Sequence, residues 1–438
     1  MYHKFGETPV TLENRDYFTD YAIAKDPYPF FEAVRAHGPV WQPEGRDYLI
    51  VTGFDETVEV LNNHHDFSAI IGLAGAAAPL PFEPQGSDIT AQIEENRSKF
   101  LGGDQVVMLD DEPHTKLRSL MNRLFTPSRL KANELFMDAY ADEMARKVVA
   151  KGECDLISEI ATPFVTMVIA DLLGVPEEDR QHFMDLIDAS PAPGNLDSSL
   201  NTHEGDTHPM VAMTGYFYRY ISERQAAPRD DILTELSQAE YADGTRPSMM
   251  DLMTLGVFMY GAGQDTSAKL LGNSMRYIID VPGLQDQLRA APSLVPAMLE
   301  ETLRLEGSTK QLSRLARRDT KIGDLPVKAG TKVLMGLSGG NRDPRRWENP
   351  EEFRLNRPKI KEHIAFGRGK HVCAGAPLAR AEVRIILEKF LAMTSNIDLD
   401  EDVHGPRDNR DFDFEPSFII RGLSELRVKF TPAPGFLI

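Results

Sequence analysis

The stretch from Leu252 to Gln264 carries no charged residue, and Ser248-Met249-Met250-Asp251 just before it has the form of a helix-capping box. No proline interrupts the chain from there to Pro282-Gly283, so the spacing predicts one unusually long helix. An uncharged helix of this kind has to be covered by protein around its circumference, which places it through the middle of the molecule. With 42% hydrophobic residues the chain can supply that cover, and general disorder is excluded. Helical periodicity also runs from about Ser128 to Leu173, and a further helix is expected from about Pro377. Strand signals are short: Val40-Trp41 and Tyr48 to Thr52 around a Glu44-Gly45 turn, and Lys332 to Met335. Phe67 to about Gly103 reads as a long loop with short helices, and Ser190 to Pro209 as a polar loop between helices; long loops often act as lids. The fold class is mainly α with a small β portion.

The chain of 438 residues would by length alone make two or three domains of roughly 100–200 residues, but no fixed-period repeat or low-complexity tract divides it. Its 48 Lys plus Arg against 67 Asp plus Glu leave a formal charge of −19. That balance argues against a nucleic-acid binder and gives no attraction to an anionic membrane. The N-terminus lacks the apolar core of a signal peptide. The charge-free run Phe67 to Phe82 is shorter than the roughly 20 residues of a spanning helix and holds Gly72, Gly75, Pro79 and Pro81. Two cysteines, Cys154 and Cys373, are too few for a disulfide framework or a four-cysteine zinc site. The expectation is a soluble, cytoplasmic protein.

The segment Phe366-Gly367-Arg368-Gly369-Lys370-His371-Val372-Cys373-Ala374-Gly375 carries the most chemical information. A phosphate loop would need Ser or Thr at His371, and a dinucleotide fingerprint a third glycine at Val372. A cysteine hydrolase remains open in principle, although neither flank matches a nucleophile signature. A lone cysteine is most commonly a small buried hydrophobe. Another reading uses more of the residues. The glycines allow tight turning and close approach to a flat ligand. A helix starting just after Cys373 aims its free N–H groups at the sulfur and favours thiolate, a suitable axial ligand for haem iron.

The segment resembles the cysteine-loop signature of the cytochrome P-450 family, F-G-x-G-x-H-x-C-x-G, at every fixed position, and the likeness extends from Val40-Trp41 to Arg421-Gly422-Leu423. The resemblance implies a single catalytic domain over residues 1–438, mainly α, with the long central helix over the haem. It implies haem b, bound through Phe366, Gly367, Cys373 and Gly375, with Cys373 on the iron. Ala262-Gly263-Gln264-Asp265-Thr266 is similar to the family's A-G-x-D/E-T, where the small residues leave room for oxygen and Asp265 and Thr266 manage proton delivery. Reducing dioxygen consumes protons that an apolar site must receive through positioned groups. Glu301-Thr302-Leu303-Arg304 matches E-x-x-R, with Arg357 as its third, structural member. His114, Arg118, Arg314 and His371 stand where the family neutralises the haem propionates.

The implied activity is a monooxygenase inserting one atom of O2 into a small to medium, largely apolar organic substrate, by hydroxylation or O-dealkylation. Electrons come from outside, from an iron–sulfur ferredoxin and its NAD(P)H-dependent reductase. Two alternatives stay open: a peroxide-using peroxygenase, whose relatives replace the acid–alcohol pair, and a haem sensor or carrier without turnover. Phe258, Ala262, Thr309, Leu312, Ile419 and Ile420 fall where the family lines its pocket, a mainly apolar wall. Gly307 to Leu312 departs from the pattern in being polar, which widens the range of substrates. Against the acidic whole, Arg354 to Lys370 holds Arg354, Arg357, Lys359, Lys361, Arg368 and Lys370 with Glu362 the only acid, a patch suited to an acidic ferredoxin.

Overall fold

The computed structural model describes residues 11–188, 194–196 and 209–436. Seven helices frame the site: α1 (Asp111–Leu124), α2 (Pro127–Lys151), α3 (Thr162–Leu172), α4 (Pro209–Ala226), α5 (Met249–Asp280), α6 (Val295–Glu306) and α7 (Ala376–Met393). The strands are β1 (Val40–Trp41), β2 (Tyr48–Val51), β3 (Phe67–Ser68), β4 (Glu153–Asp155), β5 (Leu312–Ala316), β6 (Thr320–Ile322), β7 (Leu325–Val327), β8 (Lys332–Met335), β9 (Thr394–Leu399) and β10 (Arg427–Pro432). Helix predominates, as the periodicity implied.

Helix α5 has the expected limits. The Ser248 hydroxyl accepts from the Asp251 amide at 3.1 Å, the Asp251 carboxylate accepts from the Ser248 amide at 2.9 Å, and Val281 closes the helix just before Pro282. A mid-helix glycine costs about 1 kcal/mol against alanine, and α5 uses its glycines at crossings. A Cβ at Gly256 would stand 2.6 Å from the Phe217 ring of α4, and one at Gly263 2.8 Å from Ile169 of α3. Close approach of backbones offsets the propensity loss by packing.

The periodic stretch 128–173 is not one helix. Gly152, at φ 88°, ends α2; β4 and a π-turn at Ile157–Ala161 precede α3. Side-chain periodicity carries across this break because both helices bury apolar faces in the same core. The five-stranded sheet has the order β1-β2-β8-β5-β3, with β2 and β8 parallel and the other neighbours antiparallel. A second sheet runs β4-β10-β9, and β6-β7 is a hairpin. The loop from Phe67 contains β3 and the short helix Thr90–Glu95. Of the polar loop expected at 190–209, only 194–196 and Pro209 fall within the described residues. No described helix is long and apolar enough to cross a membrane.

Candidate active site

Helices α5 and α7 and the cysteine loop enclose a cavity onto which Cys373 opens, together with Thr266, Ala262, Phe366, Gly367 and Gly375. The loop that carries Cys373 is set by its glycines. Gly367 and Gly369 have φ of 68° and 71°, and a Cβ at Gly369 would collide with the Leu61 carbonyl. The Cys373 amide donates to the Phe366 carbonyl at 2.9 Å, closing the loop on itself. Cys373 is hemmed in by protein except toward the cavity, and that burial pushes its thiol up. The amides of Gly375 and Ala376 at the start of α7, with Arg118 and Arg380, work in the opposite direction and favour thiolate.

Beside the sulfur lies a concentration of bases. The rings of His114 and His371 are 4.1 Å apart, centre to centre. Burial, with nearby Arg118, Lys370 and Arg314, holds His114 down at about 4; burial, with Arg314, His114 and Arg118, holds His371 at about 2. Arg314, on β5, is 5% exposed and donates to its neighbour's carbonyl, Ser313 O, at 2.9 Å. Burial lowers it to about 10 against the pull of Asp110, itself engaged by Ser68 and the Ala69 amide. Arg118 donates to Val372 O at 2.6 Å and Asn122 Oδ1 at 3.2 Å, again without a carboxylate. Two guanidiniums converge here on two neutral imidazoles, with no salt bridge to either guanidinium among the described residues, an arrangement that is costly unless an anionic ligand completes it. Haem, with an iron for the sulfur and two propionates for the bases, fits this donor set.

On the opposite wall, the Thr266 hydroxyl donates to Ala262 O at 2.9 Å, so its lone pairs remain free to accept. Ser308 donates to Thr266 O at 2.6 Å and ties the loop after α6 to α5. Asp265 is turned off the cavity wall, with Lys269 Nζ 3.8 Å away. Burial pushes its carboxyl up to about 6, against the pull of Lys269.

Phe258, Ala262, Thr309 and Leu312 line the cavity, alongside Val106, Ile169 and Leu172. Ile419 and Ile420 do not: Ile420 is bridged through its backbone to Thr309, and Ile419 packs beside Gly194. The polar stretch 307–312 leaves the wall mostly apolar, because Lys310 turns away to the carbonyls of Ala24 and Ser417 and Gln311 engages Ser313. Glu301, Arg304 and Arg357 meet in the interior, at 2.8 Å for both Arg304 Nη2 and Arg357 Nε to Glu301 Oε1.

Three residues escaped the sequence reading. Glu382 of α7 is 1% exposed and faces the cavity; Ser267 is the hydroxyl beside it, yet neither carboxyl oxygen has a well-formed hydrogen bond, and burial raises it to about 8. Its position on the same helical face as Leu378 and Ala379 was a readable signal. Lys269 and Glu415, which pair with each other next to Asp265, had none beyond the placement of Lys269 four residues after Asp265.

The family model described as "Cytochrome P450" matches residues 83–401. "Putative cytochrome P450 YjiB" of Bacillus subtilis is 31% identical over 84% of this chain and 87% of its own length. "Cytochrome P450 144" of Mycobacterium tuberculosis is 31% identical over 92% and 89%. Among solved structures, Mycobacterium marinum cytochrome P450 CYP150A6 in the substrate-free form is 42% identical with a TM-score of 0.90, covering 97% of this chain and all of that one. CYP109E1 from Bacillus megaterium in complex with corticosterone is 26% identical with a TM-score of 0.78, covering 93% and 99%. With the cysteine loop, the unpaired bases and the long central helix in the arrangement such proteins share, the chain belongs to the cytochrome P450 family, haem-dependent monooxygenases of the oxidoreductase class.

Proposed function

We propose that this chain is a cytoplasmic haem b monooxygenase, one catalytic domain over 1–438, that inserts one atom of O2 into a small to medium, largely apolar substrate by hydroxylation or O-dealkylation. The observation that carries this reading is one cavity onto which Cys373, Thr266, His114, Arg118 and His371 open together, with Arg314 acting on both histidines. Bound haem supplies a redox-active iron on which dioxygen is reduced and one oxygen atom is passed to substrate. Cys373 would hold the iron, its negative charge supported by the Gly375 and Ala376 amides. His114, Arg118, Arg314 and His371 take the propionates, and Phe366, Gly367 and Gly375 shape the floor.

Above, Thr266 offers an acceptor oxygen to a water, and Asp265, able to change protonation near neutral pH, feeds protons toward it. The retained acid–alcohol pair supports oxygen as oxidant over peroxide, and turnover over mere haem carriage. Phe258, Ile169 and Leu172 exclude bulk water from the wall. That wall, and the corticosterone held by the CYP109E1 neighbour, support an apolar, polycyclic or chain-like substrate. Thr266→Ala is expected to keep haem and substrate binding while hydrogen peroxide replaces much of the product. Equal product per reduced cofactor in mutant and wild type would remove the proton-delivery role.

For electrons we infer an acidic ferredoxin at the face of the cysteine loop. The patch is smaller than the sequence implied: Arg357 is spent on Glu301, and Arg354 on Glu352 and Glu348. What remains is Lys359, Lys361 and Lys370, all exposed, and Arg368, half-buried and donating to Glu362 O; Arg368 and Lys370 stand beside an exposed Val372 and a shallow hollow lined by Phe54, Val58 and Asn62. Lys370→Glu is expected to slow reduction by the ferredoxin about tenfold or more at low salt, with Arg368→Glu acting alike and substrate affinity unchanged. A first-electron rate indifferent to both reversals and to ionic strength places the donor elsewhere.

A further inference from the structure

Behind the oxygen-facing wall of α5 lies a small ionic cluster of unequal geometry. Lys269, one turn after Asp265, is 5% exposed and lies flat against Gly422, where any Cβ would collide with its aliphatic stem. Its ammonium is in close contact with Glu415 but 3.8 Å from Asp265 Oδ1, beyond a hydrogen bond. Asp265 Oδ2 and Glu415 Oε2 are buried with no hydrogen-bond partner among the described residues. The acid side chains keep 18% and 19% exposure, while the lysine between them keeps 6%. Glu415 is held in place by backbone: its amide donates to Gly422 O at 3.0 Å, and Ser424 N donates to Asp413 O at 2.9 Å.

Two carboxylates thus compete for one ammonium, and the rigidly mounted one has won. We propose that Glu415 is a positioning residue for proton delivery: by drawing Lys269 away from Asp265, it leaves one Asp265 oxygen free to accept a proton and pass it on. This rests on the reading of Asp265 as a proton carrier. A solvent hydronium ion gives its proton to the Asp265 carboxylate and becomes water, the carboxyl returns to carboxylate by passing that proton to the water held by Thr266, that water gives up one of its own protons to the dioxygen being reduced, and Lys269 keeps its protons throughout. A tight Asp265–Lys269 pair would keep Asp265 ionised and its oxygens occupied. The charged groups that act on Asp265 are Lys269 from its own helix and Glu415 from the C-terminal loop, with opposite signs.

The two neighbours therefore make opposite predictions. In Glu415→Gln the ammonium loses its stronger anion and settles on Asp265, and the like charge is gone; both lower the pH at which Asp265 takes up its proton, by about one pH unit. In Lys269→Met the attracting cation is lost and that pH rises. Two readouts on the holoenzyme follow this: the pH dependence of product formed per reduced cofactor, and the protonated-carboxyl band of Asp265 in difference infrared spectra without turnover, identified by its loss in Asp265→Asn. The expected result is a midpoint moved down in Glu415→Gln and up in Lys269→Met, at unchanged haem content. Midpoints that stay at the wild-type value in both variants, while Asp265→Asn lowers coupling, overturn the role of Glu415 alone. Full coupling in Asp265→Asn overturns the reading of Asp265 and this proposal with it.

Discussion

Cys373→His leaves a folded, haem-containing protein whose monooxygenase activity falls to background, and the absorption band of its reduced, carbon monoxide-treated form moves to the position typical of histidine-ligated haem. Two amides at the head of α7 and the Arg118 and Arg380 guanidiniums oppose the burial that would otherwise keep a thiol neutral. Such a setting serves an anion, whose electron density favours O–O cleavage; a neutral imidazole supplies less. The other cysteine provides the control. Cys154 sits in the helical core, 2% exposed, where burial with Glu159 and Asp155 pushes its thiol up to about 12. Cys154→Ala should cost some stability and leave the spectrum untouched. If the Cys373→His spectrum matches wild type, the sulfur is not the iron ligand and the whole assignment of the cavity falls.

What could be read from the sequence was what local chemistry determines. The cap at Ser248, the stop at Pro282 and the buried course of α5 need only neighbouring residues, and the structure has all three. The cysteine loop is similarly local, since Gly369 is demanded by the close Leu61 carbonyl and by its own positive φ. Periodicity misled where two helices share one core: Gly152 breaks the 128–173 stretch although the apolar rhythm continues. Charge counting misled for a different reason. Arg354 and Arg357 lie in a basic run, yet their partners come from Glu352 nearby and from Glu301 in α6, so two of the six cations of the apparent patch are neutralised by folding. Ile419 and Ile420 were placed by likeness, and the loop that carries them sets Ile420 opposite Thr309 and Ile419 beside Gly194, outside the cavity lining. Glu415 was unreadable because it meets Lys269 across 146 residues of sequence, and no period links them.

The interior triad supports a second large expectation. Glu301→Ala should destabilise the protein by about 3–5 kcal/mol, the cost typical of leaving a buried charge without its partner. Arg304 has no exposed side-chain surface and Arg357 has 2%, so neither guanidinium can turn to water when Glu301 is gone. Their remaining hydrogen bonds also run to one region: Arg304 to the carbonyls of Asn341 at 3.0 Å and Pro350 at 2.7 Å, Arg357 to Glu348 O at 2.7 Å. The triad therefore pins the irregular chain from Asn341 to Arg357 against α6, and the cysteine loop follows directly from that chain. Against a total stability of about 5–15 kcal/mol, a loss of this size should show in two ways, as a lower urea midpoint and as fewer haem groups retained per chain. Glu301→Gln, which keeps the volume and some hydrogen bonds but not the charge, should fall between. A Glu301→Ala protein with wild-type midpoint and full haem content would mean that the carbonyl contacts alone hold the segment, and that the ion pairs add nothing to it.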